Sequence, residues 1–282
     1  MNKPIAFVHS ADFDGHCSGA IIHKALPGAE IVEINYGQPF PWDQVQGRDV
    51  VMADFSLQPW DGMEQLARDA SSLLWIDHHA SAISEAEAHP INCIAILDPD
   101  KAACELTWEY FFPDESMPRS VRLLGRFDVW DHSDPDVLAF QFGMSAIEMP
   151  PTSPSWDDLL TNDKSSQALI DKTIAEGRAI YRYVQQQNSA RIKSCGFEST
   201  MDGLRAICCN TPGAGSLLFD AAYSPSEHDV MLSFYRTPKK RWKVGLYSTK
   251  PEVHCGEIAK RHGGGGHPGA AGFECDQLPF EY

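Results

Sequence analysis

The chain has 282 residues, of which 43% are hydrophobic and 22% are charged, and its formal net charge is −16 at pH 7. This length allows two domains of ordinary size, and the hydrophobic content is that of a globular protein with buried cores, which excludes extensive disorder. The acidic balance disfavours binding along a nucleic-acid backbone, because such binding needs a basic surface. A polyanionic substrate should therefore be small, or be bound through metal ions and a few local Lys and Arg side chains.

Neither the N-terminus nor the cysteines indicate export or membrane insertion. The apolar part of MNKPIAFVHS is shorter than the hydrophobic region of a signal peptide, and no later run has the length of a transmembrane helix. The eight cysteines form no CxxC pair, which suits neither a zinc cage nor a disulfide framework. We expect a soluble, cytoplasmic protein with reduced thiols.

Short apolar runs alternate with amphipathic segments in the first half of the chain. The strand pattern fits five runs: IAFV (5–8), EIVEINY (30–36), DVVMADF (49–55), SLLWID (72–77) and CIAIL (93–97). The helical pattern fits three segments: CSGAIIHKAL (17–26), MEQLARDA (63–70) and AACELTWEYFF (102–112). This alternation predicts an α/β domain with a doubly wound, mainly parallel sheet that helices cover on both faces.

The pattern changes in the second half. A proline-free helical segment covers 165–193, and strand-like pieces follow at 203–209, 229–235 and 241–248, before a helical segment at 257–262. We predict a metal-binding domain over 1–164, a linking helix over 165–194 and a smaller α/β domain with a mixed sheet over 195–282. The stretch from about 135 to 165 shows no pattern that we can assign.

Acidic and imidazole side chains stand at the ends of three predicted strands: His9, Asp12 and Asp14 after the first, Asp54 at the third, and Asp77, His78 and His79 at the fourth. In an open parallel sheet, ligands bind outside the carboxyl ends of the strands, so these side chains should converge. Asp12 and Asp14 would repel each other without a cation. The alternative is an Asp-rich turn that caps the next helix.

Carboxylates and imidazoles without thiolates suit Mn²⁺, Mg²⁺ or Fe²⁺ better than structural zinc. So many acids exceed the needs of one ion, which predicts two ions that share a carboxylate, with Asp12 and Asp14 on different ions. One more acid is expected in LLGRFDVWDHSD (123–134). We prefer Asp128, because it follows an apolar run; Asp131 is the alternative, and a polar helix end with a loop would need neither.

Four glycines precede a histidine in GGGGHPGAAG (263–272). Glycine lets the backbone approach a ligand and turn its N–H groups toward an anion, and His267 adds a polar donor. A flexible hinge is the alternative. The His-Pro pair and the preceding KRH argue against a mere spacer.

With DxDG at 12–15, DHH at 77–79 and GGGGH at 263–267, the chain resembles the DHH phosphoesterase family with its DHH-associated C-terminal domain. The resemblance implies two Mn²⁺ ions, with Mg²⁺ or Fe²⁺ as substitutes. It also implies the metal ligands His9, Asp12, Asp14, Asp54, His78 and Asp128. By the same resemblance Asp54 bridges the ions, His79 faces the substrate phosphate and Asp77 orients the histidines.

The family's C-terminal domain binds the nucleotide part of the substrate and closes over the metal site. The matching positions are Gly264, Gly265, Gly266 and His267, and Arg236 and Ser248 are further candidates. The implied reaction is hydrolysis of short single-stranded oligonucleotides, or of linear dinucleotides such as pGpG, to 5′-mononucleotides. A two-metal hydrolase activates water for this step and needs no nucleophilic side chain.

Three other functions fit parts of the pattern. A 3′-phosphoadenosine 5′-phosphate phosphatase belongs to the same family, and a manganese inorganic pyrophosphatase shares the N-terminal motifs but lacks the GGGGH run. A catalytically silent nucleotide-binding protein would keep the motifs but lose a ligand. The expected partner is a short oligonucleotide or dinucleotide, neither long duplex DNA nor a membrane, and a homodimer is compatible with the sequence.

Overall fold

Two separately packed units make up the chain in the computed structural model, which describes residues 3–282. Unit 1 is Met1–Tyr181 and unit 2 is Arg182–Tyr282. The long helix α8, Lys164–Cys195, belongs to unit 1 in its first part and to unit 2 in its last. None of the helices in residues 3–282 has both the length and the apolar character needed to cross a bilayer.

The sheet of unit 1 is parallel throughout its described strands, which lie in the order β2-β1-β3-β4-β5. Their bounds are β1 Ile5–His9, β2 Glu30–Ile34, β3 Asp49–Ala53, β4 Ser72–Asp77 and β5 Ile94–Leu97. The chain reverses direction across the sheet between β1 and β3, and such a switch point opens a crevice at the carboxyl ends of the strands. The predicted doubly wound parallel sheet is confirmed.

Helices cover both faces of this sheet. They are α1 Phe13–Ala25, α2 Asp61–Asp69, α3 Ala80–Ala88 and α4 Ala103–Phe111. Alternate residues of β1 enter different cores: Phe7 packs in a cluster with Met63 of α2, whereas Val8 packs in a cluster with Ile22 of α1 and Leu106 of α4. Burial on both faces explains why β1 reads as a continuous apolar run instead of an alternating one.

The unassigned stretch before α8 is a second layer of unit 1. It forms α6 Asp136–Met144 and α7 Ser155–Leu159, after α5 Arg119–Asp128. Phe140 and Trp156 are buried there in one cluster with Ile170 and Ile174 of α8. The short helices and intervening prolines leave no long periodic pattern, so their contribution to the core emerges only from tertiary packing.

Unit 2 has a mixed sheet, as predicted. Its described strands are β6 Gly196–Met201, β7 Leu204–Asn210, β8 Val230–Arg236, β9 Trp242–Tyr247, β10 Gly265–Gly266 and β11 Ala270–Cys275, in the order β10-β11-β9-β8-β7-β6. Strands β7 and β8 pair in parallel, and the other pairs are antiparallel. Helix α9, Cys255–Arg261, contributes Ile258 and Ala259 to the core against this sheet.

Gly15 allows α1 to begin directly against the end of β1. A Cβ atom at position 15 would lie 2.1 Å from the carbonyl oxygen of His9. Backbone cannot yield as the end of a flexible side chain can, so any larger residue would separate α1 from the strand. Gly15 is thereby a condition for placing His9 and Asp14 next to each other.

Gly15→Ala should destabilise the protein by about 1–3 kcal/mol, the usual cost of forcing extra volume into a packed site. Helix propensity alone predicts the opposite sign, a gain of about 1 kcal/mol. Denaturant unfolding measures the difference. The matched control is Gly215→Ala, where φ is −90° and a Cβ meets nothing within 4 Å. Equal stability of Gly15→Ala and the wild type would contradict this account.

Candidate metal centre

The carboxyl ends of β1, β3 and β4 bring together most of the predicted ligands of unit 1. The loop after β1 does two things at once. Asp12 caps α1, because its Oδ1 accepts a hydrogen bond from the backbone N–H of Gly15 at 3.1 Å. Its second oxygen, Oδ2, lies 3.1 Å from Nδ1 of His9. Asp12 can therefore cap α1 with one oxygen and offer the other as a ligand, although the sequence analysis gave these two roles as alternatives.

Two groups of candidate ligands that share no residue lie in this crevice. In the first, His9, Asp12 and Asp54 offer ligand atoms within 4.8 Å of one another. The second group contains Asp14, His78 and Asp128 at the same mutual limit. The sequence interpretation assigned Asp12 and Asp14 to different ions, and the structure places them in different groups.

Asp14 is the most rigidly held carboxylate of the second group. Its oxygens accept hydrogen bonds from the backbone N–H groups of Ala103 at 2.8 Å and Cys104 at 2.7 Å, at the start of α4. A helix N-terminus favours negative charge, so α4 stabilises this buried acid. Nε2 of His78 completes the group, 3.6 Å from Asp14 and 3.2 Å from Asp128.

Asp54 belongs to the first group and also contacts the second. Its Oδ2 is 3.5 Å from Nδ1 of His9, and its Oδ1 is 3.3 Å from Nε2 of His78. The residue has a φ of +56°, in the left-handed region that residues other than glycine seldom adopt. Its backbone N–H nevertheless donates to the carbonyl of Ile76 at 2.9 Å, so pairing with β4 holds the strained residue in place.

Asp77 serves the two histidines that follow it. Its Oδ1 accepts the backbone N–H groups of His78 at 2.7 Å and His79 at 3.1 Å, and it also lies 2.7 Å from Nδ1 of His79. Oδ2 accepts the indole N–H of Trp75 at 3.3 Å. Fully buried and saturated with donors, Asp77 fixes the orientation of the imidazole of His79.

Burial and mutual repulsion dominate the electrostatics of these carboxylates and imidazoles. Burial, followed by the charges of Asp14 and Asp12, raises the pKa of Asp54 well above its usual value, and burial together with Asp14 does the same to the pKa of Asp128. Burial opposes protonation of His9, but the interactions with Asp12 and Asp54 outweigh it and raise the pKa of His9 to about 10.

The remaining shifts follow from the partners of each group. Burial opposes ionisation of Asp12, yet His9 lowers the pKa of Asp12 to about 2. The pKa of Asp77 is lowered, because the charge and hydrogen bonds of His79 outweigh burial. The pKa of His78 is raised, since the neighbouring carboxylates outweigh burial.

A divalent cation fits this donor set. Within residues 3–282, the ion-pair partners found for Asp12, Asp14, Asp54, Asp77 and Asp128 are all histidines, with no Lys or Arg among them. Nδ1 of His9 and Oδ2 of Asp54 are buried and lack a hydrogen bond of good geometry. Buried negative charge of this density needs compensation, and oxygen with imidazole nitrogen suits Mn²⁺, Mg²⁺ or Fe²⁺.

Of the two aspartates considered near the end of α5, the structure brings only Asp128 into the cluster. Asp131 instead lies 2.5 Å from Nη1 of Arg126 and accepts the backbone N–H of Ser133 at 3.0 Å. Hydrogen bonds from the side chain and the backbone of Ser133, together with the positive charge of Arg126, lower the pKa of Asp131. The guanidinium of Arg126 therefore balances the charge of Asp131.

The candidates in unit 2 are engaged largely in the fold of that unit. The N–H of Gly264 donates to Ala259 at 2.9 Å, and that of His267 donates to Ala270 at 2.8 Å. Gly266 has a φ of +142°, and a Cβ atom added to it would lie 2.6 Å from Cα of Ala271, so its lack of a side chain serves strand packing. A Cβ on Gly265 would meet nothing within 4 Å.

Arg236 and Ser248 have evident structural partners. The guanidinium of Arg236 lies 5.5 Å from the ring centre of Trp242. The hydroxyl of Ser248 donates to the carbonyl of Asp229 at 2.8 Å and accepts from the N–H of Lys250 at 3.1 Å. Their roles as substrate contacts stay predictions.

One aromatic pair beside the cluster was missed by sequence reasoning. Tyr36 stacks on Phe55, with ring centres 4.4 Å apart, and both rings approach His9. The predicted strand over 30–36 ran too far: β2 ends at Ile34, and Gly37 has a φ of +80° in the turn that follows. The Asn-x-Gly pattern after the apolar run was the available signal for that turn.

The search against family models found no match for this chain. A curated relative, an uncharacterized protein of Acanthamoeba polyphaga mimivirus, is 26% identical over an alignment of 248 residues and covers 85% of this chain. The chain spans 57% of the length of that relative.

Two solved structures share the fold over 97% of the chain. One is the DHH domain of a protein assigned to a family of ribosomal proteins, with a TM-score of 0.61, 14% identity and 82% of that chain covered. The other is a pGpG-specific phosphodiesterase from Vibrio cholerae, with a TM-score of 0.50, 15% identity and 93% of that chain covered. The chain thus has the fold found in DHH-domain structures, as its motifs predict.

We expect Mn²⁺ to bind the folded carboxylate cluster and thereby to stabilise the protein against unfolding. At a free concentration 100 times Kd the gain is about 2.7 kcal/mol. Thermal melting with Mn²⁺ or with EDTA measures it. Asp128→Asn should remove most of the gain, whereas the matched variant Asp131→Asn should keep it. Equal loss in the two variants would contradict the assignment of Asp128.

The EDTA-treated protein should lose stability as the pH rises. A group whose pKa is raised on folding stabilises the fold below its unfolded pKa, and that contribution disappears as the pH rises through the folded value. For the pKa of His9 the interval runs from 6.5 to about 10. Asp54, Asp128 and His78 act in the same direction. Melting temperatures in EDTA should fall between about pH 6 and pH 9, and a rise would contradict these shifts.

Proposed function

We propose that the chain is a DHH-family phosphoesterase that uses two divalent ions, preferably Mn²⁺, to hydrolyse short single-stranded oligonucleotides or linear dinucleotides such as pGpG to 5′-mononucleotides. The position of Asp54 carries the proposal. One oxygen of Asp54 faces His9 and the other faces His78, which belong to separate groups of candidate ligands. A carboxylate in that position suits a bridge between two ions.

His9, Asp12 and Asp54 would hold one ion, and Asp14, His78, Asp128 and Asp54 the other. When bound, such a pair supplies Lewis acidity toward phosphoryl oxygens and toward the attacking water. The chain's own contribution is to hold these ligands rigidly. The N–H groups of α4 hold Asp14, and pairing with β4 holds Asp54.

His79 is the proposed proton donor to the leaving oxygen. Because Nδ1 of His79 is hydrogen-bonded to the ionised carboxylate of Asp77, the ring gives or takes a catalytic proton at Nε2. Asp77 acts on the substrate only through His79 and is a positioning residue. A general acid of this kind typically contributes about 10²–10⁴-fold to the rate.

The charge of the chain and one structural neighbour favour a short nucleotide substrate. The net charge of −16 opposes tracking along a long polyanion, which favours substrates of a few nucleotides over duplex DNA. The structural neighbour from Vibrio cholerae is described as pGpG-specific, and the chain covers 93% of it. A linear dinucleotide is therefore the first substrate to test.

The test is Mn²⁺-dependent turnover of pGpG, 3′-phosphoadenosine 5′-phosphate, pyrophosphate and a 24-mer, with separation of the products. We expect mononucleotide release from pGpG far exceeding turnover of the other three. Asp54→Ala should lower kcat/KM at least about 100-fold. Loss of a residue that only hydrogen-bonds to a metal ligand already lowers metal affinity or activity about 10–100-fold. His79→Ala should lower kcat about 10²–10⁴-fold. Asp131→Asn is the control and should stay within about twofold, as surface changes usually do.

Preference for pyrophosphate or for the bisphosphonucleotide would replace the proposed substrate while keeping the metal centre. Absence of turnover, with binding of both Mn²⁺ and pGpG retained, would leave a nucleotide-binding protein in place of an enzyme.

A further inference from the structure

We propose that Tyr36 is a substrate-binding residue whose exposed ring stacks on one base of the substrate. This inference rests on the proposed function for its substrate, a short nucleotide chain. It assigns base recognition to the metal-binding unit itself, at the turn after β2.

A self-contained turn presents Tyr36. The backbone N–H of Tyr36 donates to Oδ1 of Asn35 at 2.8 Å, and the N–H of Asn35 donates to Oε1 of Gln38 at 3.1 Å. The N–H of Gln38 in turn donates to the carbonyl of Asn35 at 3.2 Å. With Gly37 at a φ of +80°, these bonds fix the backbone of the turn. The ring is therefore positioned before any ligand arrives.

The ring of Tyr36 lies at the edge of the candidate metal centre. It stacks on Phe55 with ring centres 4.4 Å apart and an angle of 29° between the planes, and it meets the imidazole of His9 edge to face at 5.7 Å. Phe55 is buried and directly follows Asp54. Tyr36 therefore contacts one candidate ligand, His9 at the end of β1, and packs against the residue that follows another, Asp54 after β3.

Despite these contacts, 47% of Tyr36 stays exposed. Since Phe55 covers one face of the ring, a base would stack on the opposite face. Aromatic stacking on a base contributes about 1–3 kcal/mol and tolerates any base. A ring already held in place loses little conformational freedom on binding, which favours it as a platform.

The surroundings of Tyr36 point to a base instead of a phosphate. A small cavity of about 50 Å³ adjoins the ring, and it is lined by apolar side chains, a glycine and the amide side chains of Asn35, Gln38 and Gln58. The lining contains neither Lys nor Arg. An aromatic face without a neighbouring Lys or Arg in this lining suits the flat face of a nucleobase better than a phosphate.

The experiment compares Tyr36→Leu and Tyr36→Phe with the wild type on two substrates: the dinucleotide pGpG and methyl p-nitrophenyl phosphate, a phosphodiester without a base. We expect Tyr36→Leu to raise KM for pGpG at least about fivefold, the lower end for loss of one stacked base, with kcat within about twofold. Tyr36→Phe keeps the ring and should resemble the wild type. The ratio of kcat/KM for pGpG to kcat/KM for the substrate without a base should fall at least about fivefold in Tyr36→Leu and stay at the wild-type value in Tyr36→Phe.

The matched control is Tyr110→Leu, which removes another exposed tyrosine of unit 1, one on α4. It should leave both substrates unaffected, and melting curves establish that every variant is folded. If Tyr36→Leu leaves KM for pGpG unchanged, the inference is wrong. If Tyr36→Phe is as impaired as Tyr36→Leu, the hydroxyl acts instead of the ring face, and base stacking is again wrong.

A binding assay separates this inference from the proposed reaction. A dinucleotide that carries 2-aminopurine loses fluorescence when its base stacks, and Ca²⁺ in place of Mn²⁺ suppresses turnover. Quenching by the wild type but not by Tyr36→Leu would support stacking even if no phosphodiester were hydrolysed. Hydrolysis of pGpG without quenching at either base would keep the proposed function and overturn the role of Tyr36.

Discussion

The need to hold several carboxylates together at one edge of a sheet governs the structure of unit 1. Repulsion among Asp12, Asp14, Asp54 and Asp128 opposes this arrangement, and within the described residues no Lys or Arg side chain offsets it. The backbone supplies the restraint instead. The N-terminus of α4 donates two N–H groups to Asp14, and α1 donates one to Asp12. Main-chain hydrogen bonds therefore hold the carboxylates in place, and a bound cation would balance their negative charge.

Much of this centre could be predicted because parallel strands end at a common edge. Once β1, β3 and β4 were recognised, the positions of His9, Asp54 and His78 followed from topology. Asp128 was harder to predict, since it ends a helix and competes with a neighbouring aspartate only three residues away. The bond between Arg126 and Asp131 distinguishes the two aspartates, and it could not be inferred from the spacing of these residues in the sequence.

Other features lay beyond sequence reasoning because their signals are not periodic. The helices α6 and α7 are short, and their large side chains reveal a core only when α8 packs against them. Tyr36 was taken as the last residue of a strand, although the glycine after it ends the strand pattern. Glycines such as those in GGGGHPGAAG are needed both in a loop that approaches a ligand and in a closely packed strand. The sequence alone therefore could not show that Gly264 and Gly266 serve packing in the fold.

The double use of Asp12 has a dynamic consequence. One of its oxygens caps the first turn of α1 and the other faces His9, so any ion bound by Asp12 also restrains the start of that helix. The N–H of Gly15 should then exchange with solvent deuterium more slowly when the ion is present, because opening the turn would disturb a metal ligand. A single main-chain amide could thereby report the occupancy of the first group of ligands, without any substrate.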